Sequence, residues 1–207
     1  MNTALLPAAA LVSAFARVAA ALQGRSPAAR EFLDTTTGLG NHGGLAGIGQ
    51  PMLDAARRDG RPFSIVVLDF SELTEVREIY GTETARRVVQ RVVRKLRLLA
   101  GPRGAALRTG RTEFTVLLPG ANRDAACAAV HRVLGKPSRV EFDAGDCEIV
   151  LVPEIVADNV ANDGESLVEV HDEISRGLAK ARHDEMRRVQ WLQRERERHS
   201  RPMALPA

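Results

Sequence analysis

Two carboxylates stand where they could do chemistry. Asp69 closes the apolar run Pro62 to Phe70, and Glu113 opens an alternation through Phe114, Val116 and Leu118. A carboxylate at a strand end can ligate a hard divalent cation, which requires anionic oxygen. It can equally act locally, Asp69 as a cap on the helix that follows and Glu113 as a solvated or ion-paired group. Arg77, Arg86, Arg108 and Arg111 form a second set, because guanidinium groups brought together make an anion site. Lys180 and Arg182 lie on a charge-rich stretch, where a solvated helix face is the ordinary outcome. His42, His131, His171, His183 and His199 never pair at ligand spacing, and Cys127 and Cys147 form no CxxC. Neither a zinc site nor a disulfide framework is therefore expected, and the compartment reads as reducing.

These groups have to be positioned by a chain of 207 residues, 44% hydrophobic and 27% charged, enough for one globular domain with flanking segments. A net charge of +3 with aromatic residues at 4% leaves few rings for stacking bases, so nucleic acid is disfavoured as a partner. Residues 1–33 read as an apolar helix and linker. Within residues 4–22, Leu11, Phe15, Val18 and Leu22 form one stripe, and a Gly24-Arg25-Ser26-Pro27 break follows. Alanine dominates the stretch and Arg17 lies inside it. It is read first as a packing or dimerising helix, with membrane contact as the alternative and a signal peptide last.

Residues 43–59 predict a helix ending at Gly60, and Pro62 to Phe70 a strand. Ser71 is expected to cap a short helix to about Tyr80. A core-facing helix over 82–99 carries Val88, Val89, Val92, Val93 and Leu96. Strands at 105–109 and 112–118 flank Gly110-Arg111, which reads as a two-residue hairpin turn. A helix at 122–134, strands near 138–143 and 147–157 and a long helix from Leu167 complete the pattern. Interleaved helices and strands with a hairpin predict an α+β fold, a central mixed and largely antiparallel sheet flanked by helices. Residues 185–207 read as a charged helical extension with a thin apolar seam of Met186, Val189, Trp191 and Leu192.

Three blocks in this order resemble GGDEF domains, the diguanylate cyclases that condense two GTP molecules into cyclic di-GMP. Asp34-Thr35-Thr36-Thr37-Gly38-Leu39-Gly40-Asn41 resembles the family's DxLTGLPNR opening. Leu68-Asp69-Phe70-Ser71-Glu72-Leu73, with Tyr80-Gly81 behind it, resembles DIDxFKxINDxYG. Arg108 to Pro119 resembles RxGGDEFxVLLP, the signature hairpin, with Gly110, Arg111, Thr112, Glu113 and Phe114 at the five signature letters. The resemblance implies a GGDEF-like fold over residues 34–184.

It also implies what has been lost. The family's two divalent ions are held by carboxylates at the first strand's end and on the hairpin. Asp69 keeps the first, but Thr112 is a neutral hydroxyl where the second belongs, Ser71 replaces another aspartate, and Arg111 replaces a glycine. The family reads guanine through an asparagine and an aspartate, and the aligned Arg77 and Arg86 have only donors. Unpaired base protons in a buried pocket would cost roughly 1–3 kcal/mol each. Gly101 and Gly104 stand where the family's product-binding RxxD motif has its charged pair. Asn41, Arg77, Arg86 and Lys180 are thus vestigial nucleotide positions, and Asp69 a vestigial metal position.

The resulting expectation is a catalytically silent signalling domain in the cytoplasm, working by association with itself or a partner protein and needing no cofactor. The alternative is a cyclase or other nucleotidyl transferase with an altered metal site, using magnesium. Membrane association through residues 4–22 stays open.

Overall fold

The structure is a computed structural model that describes residues 30–160 and 164–200, with side chains described as far as residue 184. The expected helix at 4–22, the seam at Met186 to Leu192 and the last residues lie outside what is described.

Seven consecutive buried residues, Phe63–Asp69, form strand β1. Burial without alternation marks a strand covered on both faces. It lies inside a four-stranded sheet with β2 (Ala105–Arg108), β3 (Glu113–Pro119) and β6 (Glu154–Asn159), in the order β2-β3-β1-β6. All three pairings are antiparallel, and a parallel bridge joins Gly40 to Leu107. The predicted α+β architecture is therefore observed. Of the hairpin's two strands, β3 is interior and β2 lies at the edge, so only half of the hairpin is at the sheet's heart.

Side-chain alternation divides the core in two. On one face Val66, Leu68, Phe114, Val116 and Leu118 pack beneath helices α2 (Leu73–Ala100) and α3 (Arg123–Leu134). On the other, Ile65, Val67 and Leu117 meet helix α1 (Gln50–Arg58) and the start of helix α4 (Leu167–Ser200). The register sets Val66 opposite Val116 and Leu68 opposite Phe114. One layer thus holds all five residues.

The two helices expected over 71–80 and 82–99 are observed as the two parts of α2, divided at Gly81, whose φ of 81° and ψ of 172° are not helical. Other local expectations are corrected. Ser71 makes no cap: Glu72 occupies the N-cap position, and its side chain accepts no capping hydrogen bond from the first turn. Asn122, by contrast, caps α3 by accepting from the Ala125 amide at 2.9 Å. The first turn of the helix expected at 43–59 is wound as a π-helix, Leu45–Gly49, before α1 begins. The single strand expected over 147–157 is two strands in two sheets. β5 (Glu148–Leu151) pairs with β4 (Val140–Asp143) in a separate ribbon, and β6 joins the main sheet. Between them the Val152 amide donates to Glu72 Oε1 at 3.2 Å, and Pro153 has no amide hydrogen to continue a ladder.

The hairpin turn is also longer than two residues. The Thr109 and Gly110 amides both donate to the Glu113 carbonyl at 3.1 Å, which leaves Gly110, Arg111 and Thr112 as the loop. Upstream of the hairpin, a Cβ on Gly104 would lie 2.4 Å from the carbonyl oxygens of both Ala100 and Leu117. Backbone cannot yield as a side chain can, so Gly104→Ala is expected to lower stability by roughly 1–3 kcal/mol, as overpacking does. A urea midpoint equal to that of the unaltered chain would show that α2 and β3 do not approach so closely.

Candidate functional site

The end of β1 and the hairpin tip come together because the strands pair through their last residues, Asp69 opposite Glu113, while the Phe70 amide donates to the Thr112 carbonyl at 3.0 Å. Asp69 is only 6% exposed. Its Oδ2 accepts from the Arg182 guanidinium, which reaches across from α4 and also lies 3.4 Å from Glu154 Oε2. Burial opposes the charge on Arg182, but the bonds and charges of Asp69 and Glu154 outweigh it and raise its pKa. A fixed cation thus sits between two carboxylates at the strand end. Asp69 is an ion-pair residue, not the helix cap its position suggested, and Arg182 is not on a solvated face. Lys180, two residues earlier, is exposed as that reading expects.

Asp69 Oδ1 is buried without a hydrogen-bond partner. Taken alone it could accept a metal. The donor set around it does not fit a divalent ion: Thr112 supplies no anionic oxygen, and Arg182 already pairs with both carboxylates at the strand end, Asp69 and Glu154.

Beside this pair, the arginines do converge. Arg77, Arg86, Arg108 and Arg111 line a cleft of about 300 Å³ together with Thr112, and no carboxylate is among its lining residues. Arg108 is held in place: it donates to the Arg111 carbonyl at 2.7 Å, lies 3.7 Å from Asp34 Oδ1 and stacks over Phe114 at 5.8 Å from the ring centroid. Arg86 pairs with Glu83 at 2.9 Å on the exposed side of α2. All the charged groups of the cleft are guanidinium donors and its side-chain acceptors are the hydroxyls of Thr36, Thr74, Thr82 and Thr112, which suits anionic groups and gives the protons of a guanine edge no carboxylate.

The segment before α1 turns out to be structural. Asn41 donates from Nδ2 to the Glu31 and Leu33 carbonyls and accepts on Oδ1 from the Gly44 amide, so its side chain is consumed in its own loop. Asp34 accepts from the Thr37 amide at 2.8 Å and hydroxyl at 2.5 Å, an Asx-type turn. The Arg108 amide then donates to the Gly40 carbonyl at 2.6 Å, strapping the segment to β2.

Glu113 has a partner that sequence reasoning missed. Its carboxylate accepts from Thr109 Oγ1 at 2.9 Å and lies 3.2 Å from Nε2 of His171, which is 2% exposed on α4. Burial alone would raise the Glu113 pKa. Bonds from His171, Ser175 and Thr109, with the imidazole's charge, bring it below the ordinary value instead. Burial likewise disfavours a charged His171, and Glu113 and Asp172 outweigh it, so its pKa is raised. Two histidines with no ligand spacing between them in the sequence nevertheless meet in the fold. The rings of His42 and His171 lie edge to face with centroids 5.4 Å apart. No spacing rule within one segment could have found this contact between the loop before α1 and the start of α4.

Comparison with known proteins gives the family and the fold. The family model described as "Diguanylate cyclase, GGDEF domain" matches residues 31–188. Among solved structures, the GGDEF domain of DgcB from Caulobacter crescentus in complex with c-di-GMP is 17% identical, with a TM-score of 0.63 over 74% of this chain and 89% of that one. Diguanylate cyclase SiaD in complex with its activator SiaC, from Pseudomonas aeruginosa, is 20% identical, with a TM-score of 0.65 over 85% of this chain and 67% of that one. The coiled coil and GGDEF domain of DgcB together give 17% identity and a TM-score of 0.64 over 85% and 94%.

Proposed function

This chain belongs to the GGDEF domain family, and from that premise we propose that it is a signalling domain which has lost cyclase chemistry and works by association with a second copy or a partner protein. The observation that carries the reading is the ion pair of Arg182 with Asp69. Catalysis by two-metal condensation of GTP needs anionic ligands to hold ions against the triphosphate. Here the one retained carboxylate is bonded to an internal guanidinium, and Thr112 offers none. The arginine-lined cleft supports the same reading by an independent route, since no carboxylate lines it to accept the guanine protons and Arg77 and Arg86 can only donate. Association is supported by the helical extension of α4 to Ser200 and by the likeness to SiaD, whose structure was solved with a protein activator. We place its action in the cytoplasm. Among the described residues no helix is long and apolar enough to cross a membrane.

The full chain incubated with GTP and Mg²⁺ or Mn²⁺ is expected to yield no cyclic di-GMP. Product above a heat-treated control would restore the cyclase reading. Thr112→Asp alone is expected to leave it inactive, because Arg182 still holds Asp69 and the arginines still line the base pocket. Recovery by that single change would mean that neither obstacle is real.

A further inference from the structure

The cluster where α4 begins offers something the nucleotide face does not. One ligand atom from each of His42, His171 and Asp172 can be chosen so that all lie within 4.8 Å of one another. Asp172 Oδ1 is 3.2 Å from His171 Nδ1 and 3.7 Å from His42 Nε2. A tetrahedral zinc ion, with bonds of about 2.0–2.2 Å, spaces its ligands roughly 3.3–3.6 Å apart. We propose that His42, His171 and Asp172 form a site for a zinc-class divalent ion, with solvent at the fourth position.

The surroundings match that assignment. His171 Nε2 faces Glu113, so a hydrogen there donates to the carboxylate and leaves the Nδ1 lone pair on the side of Asp172. A carboxylate behind a ligating imidazole is the usual device for fixing its tautomer and orientation. Ser175 Oγ lies 3.4 Å from the same Nε2 and Thr109 Oγ1 donates to the same carboxylate, so the support itself is anchored. His171 is buried, whereas the side chains of His42 and Asp172 are each 52% exposed, which leaves an ion a path from solvent. Two imidazoles and one carboxylate favour zinc, cobalt or nickel over magnesium or calcium, which prefer all-oxygen shells. Without an ion, a proton on Nδ1 lets the imidazolium bridge Glu113 and Asp172, and an ion would replace that proton.

The site joins the loop before α1, the first turns of α4 and, through Glu113, the signature hairpin. An ion there would fasten three separate segments of the fold together. It stands apart from the lost cyclase chemistry and from the Asp69–Arg182 pair, so it survives or fails independently of the function proposed above.

The test uses the full chain without a histidine tag, stripped by chelator and titrated with ZnCl₂ by calorimetry, with MgCl₂ as control and Co²⁺ absorption as a report on the ligands. We expect one saturable zinc equivalent, a melting temperature raised by zinc and not by magnesium, and a cobalt spectrum free of thiolate bands. His42→Ala removes an exposed ligand without disturbing the core and should abolish the binding, as should Asp172→Asn. Glu113→Gln should weaken it about 10–100-fold, the usual cost of losing such a supporting carboxylate. Absence of saturable zinc binding, equal affinity in His42→Ala, or a thiolate band assigning the ion to Cys127 or Cys147 would each overturn the proposal.

Discussion

Arg182→Ala is expected to destabilise the domain by roughly 3 kcal/mol, the lower end of the range for removing one partner from a buried ion pair. The lower end applies because the Arg182 side chain is 28% exposed and solvent shares its solvation. The cost arises at Asp69, a buried carboxyl with one oxygen already unpartnered that loses its bonded cation. Glu154 loses the same neighbour and, half-exposed, can turn to water. Urea denaturation of Arg182→Ala, Asp69→Asn and the double variant forms a cycle in which the double should recover much of the loss, since neither charge is then left alone. A loss below about 0.5 kcal/mol in Arg182→Ala, the ordinary surface range, would show that the pair does not hold the strand end.

Phe114→Ala should cost more, roughly 3–5 kcal/mol, the usual range for deleting a buried ring. Phe114 is fully buried on an interior strand, and its ring meets Phe70 edge to face at 5.8 Å. Neighbouring strands fix the backbone on both sides of it, so the space cannot collapse. The Arg108 guanidinium stacked on the ring would lose its platform at the same time, loosening the cleft. Thermal and chemical denaturation should both register the change. A variant as stable as the parent would mean that the hairpin does not pack as described.

The fold was legible where the governing interaction is local. The β-rich run from Pro62 to Phe70 announced strand β1, the alternation in β3 set Phe114, Val116 and Leu118 on one side, and the helices expected on either side of Gly81 meet there at a break with positive φ. Legibility failed where a tertiary partner decided the outcome. The split between β5 and β6 depends on Glu72 accepting the Val152 amide from another element, and the edge position of β2 depends on what pairs with β1 on its other side.

Side-chain chemistry follows the same division. That Thr112 cannot hold a metal and that Arg77 and Arg86 cannot accept a proton are properties of the residues themselves, so the sequence by itself determined that the nucleotide site is altered. Where the arginines would point was open until α2 and the hairpin enclosed one cleft between them. Arg182 lies 113 residues from Asp69, on a helix whose charge pattern reads as solvated, and nothing in its own neighbours distinguishes it from the other arginines there. Its role was set by α4 crossing the end of β1, just as His171 acquired Glu113, Asp172 and His42 only when α4, β3 and the loop before α1 closed on one point. Periodicity and intrinsic acidity are carried by neighbouring residues and survive in a linear text. An ion pair or a ligand cluster is a distance between remote segments, and only packing makes that distance short.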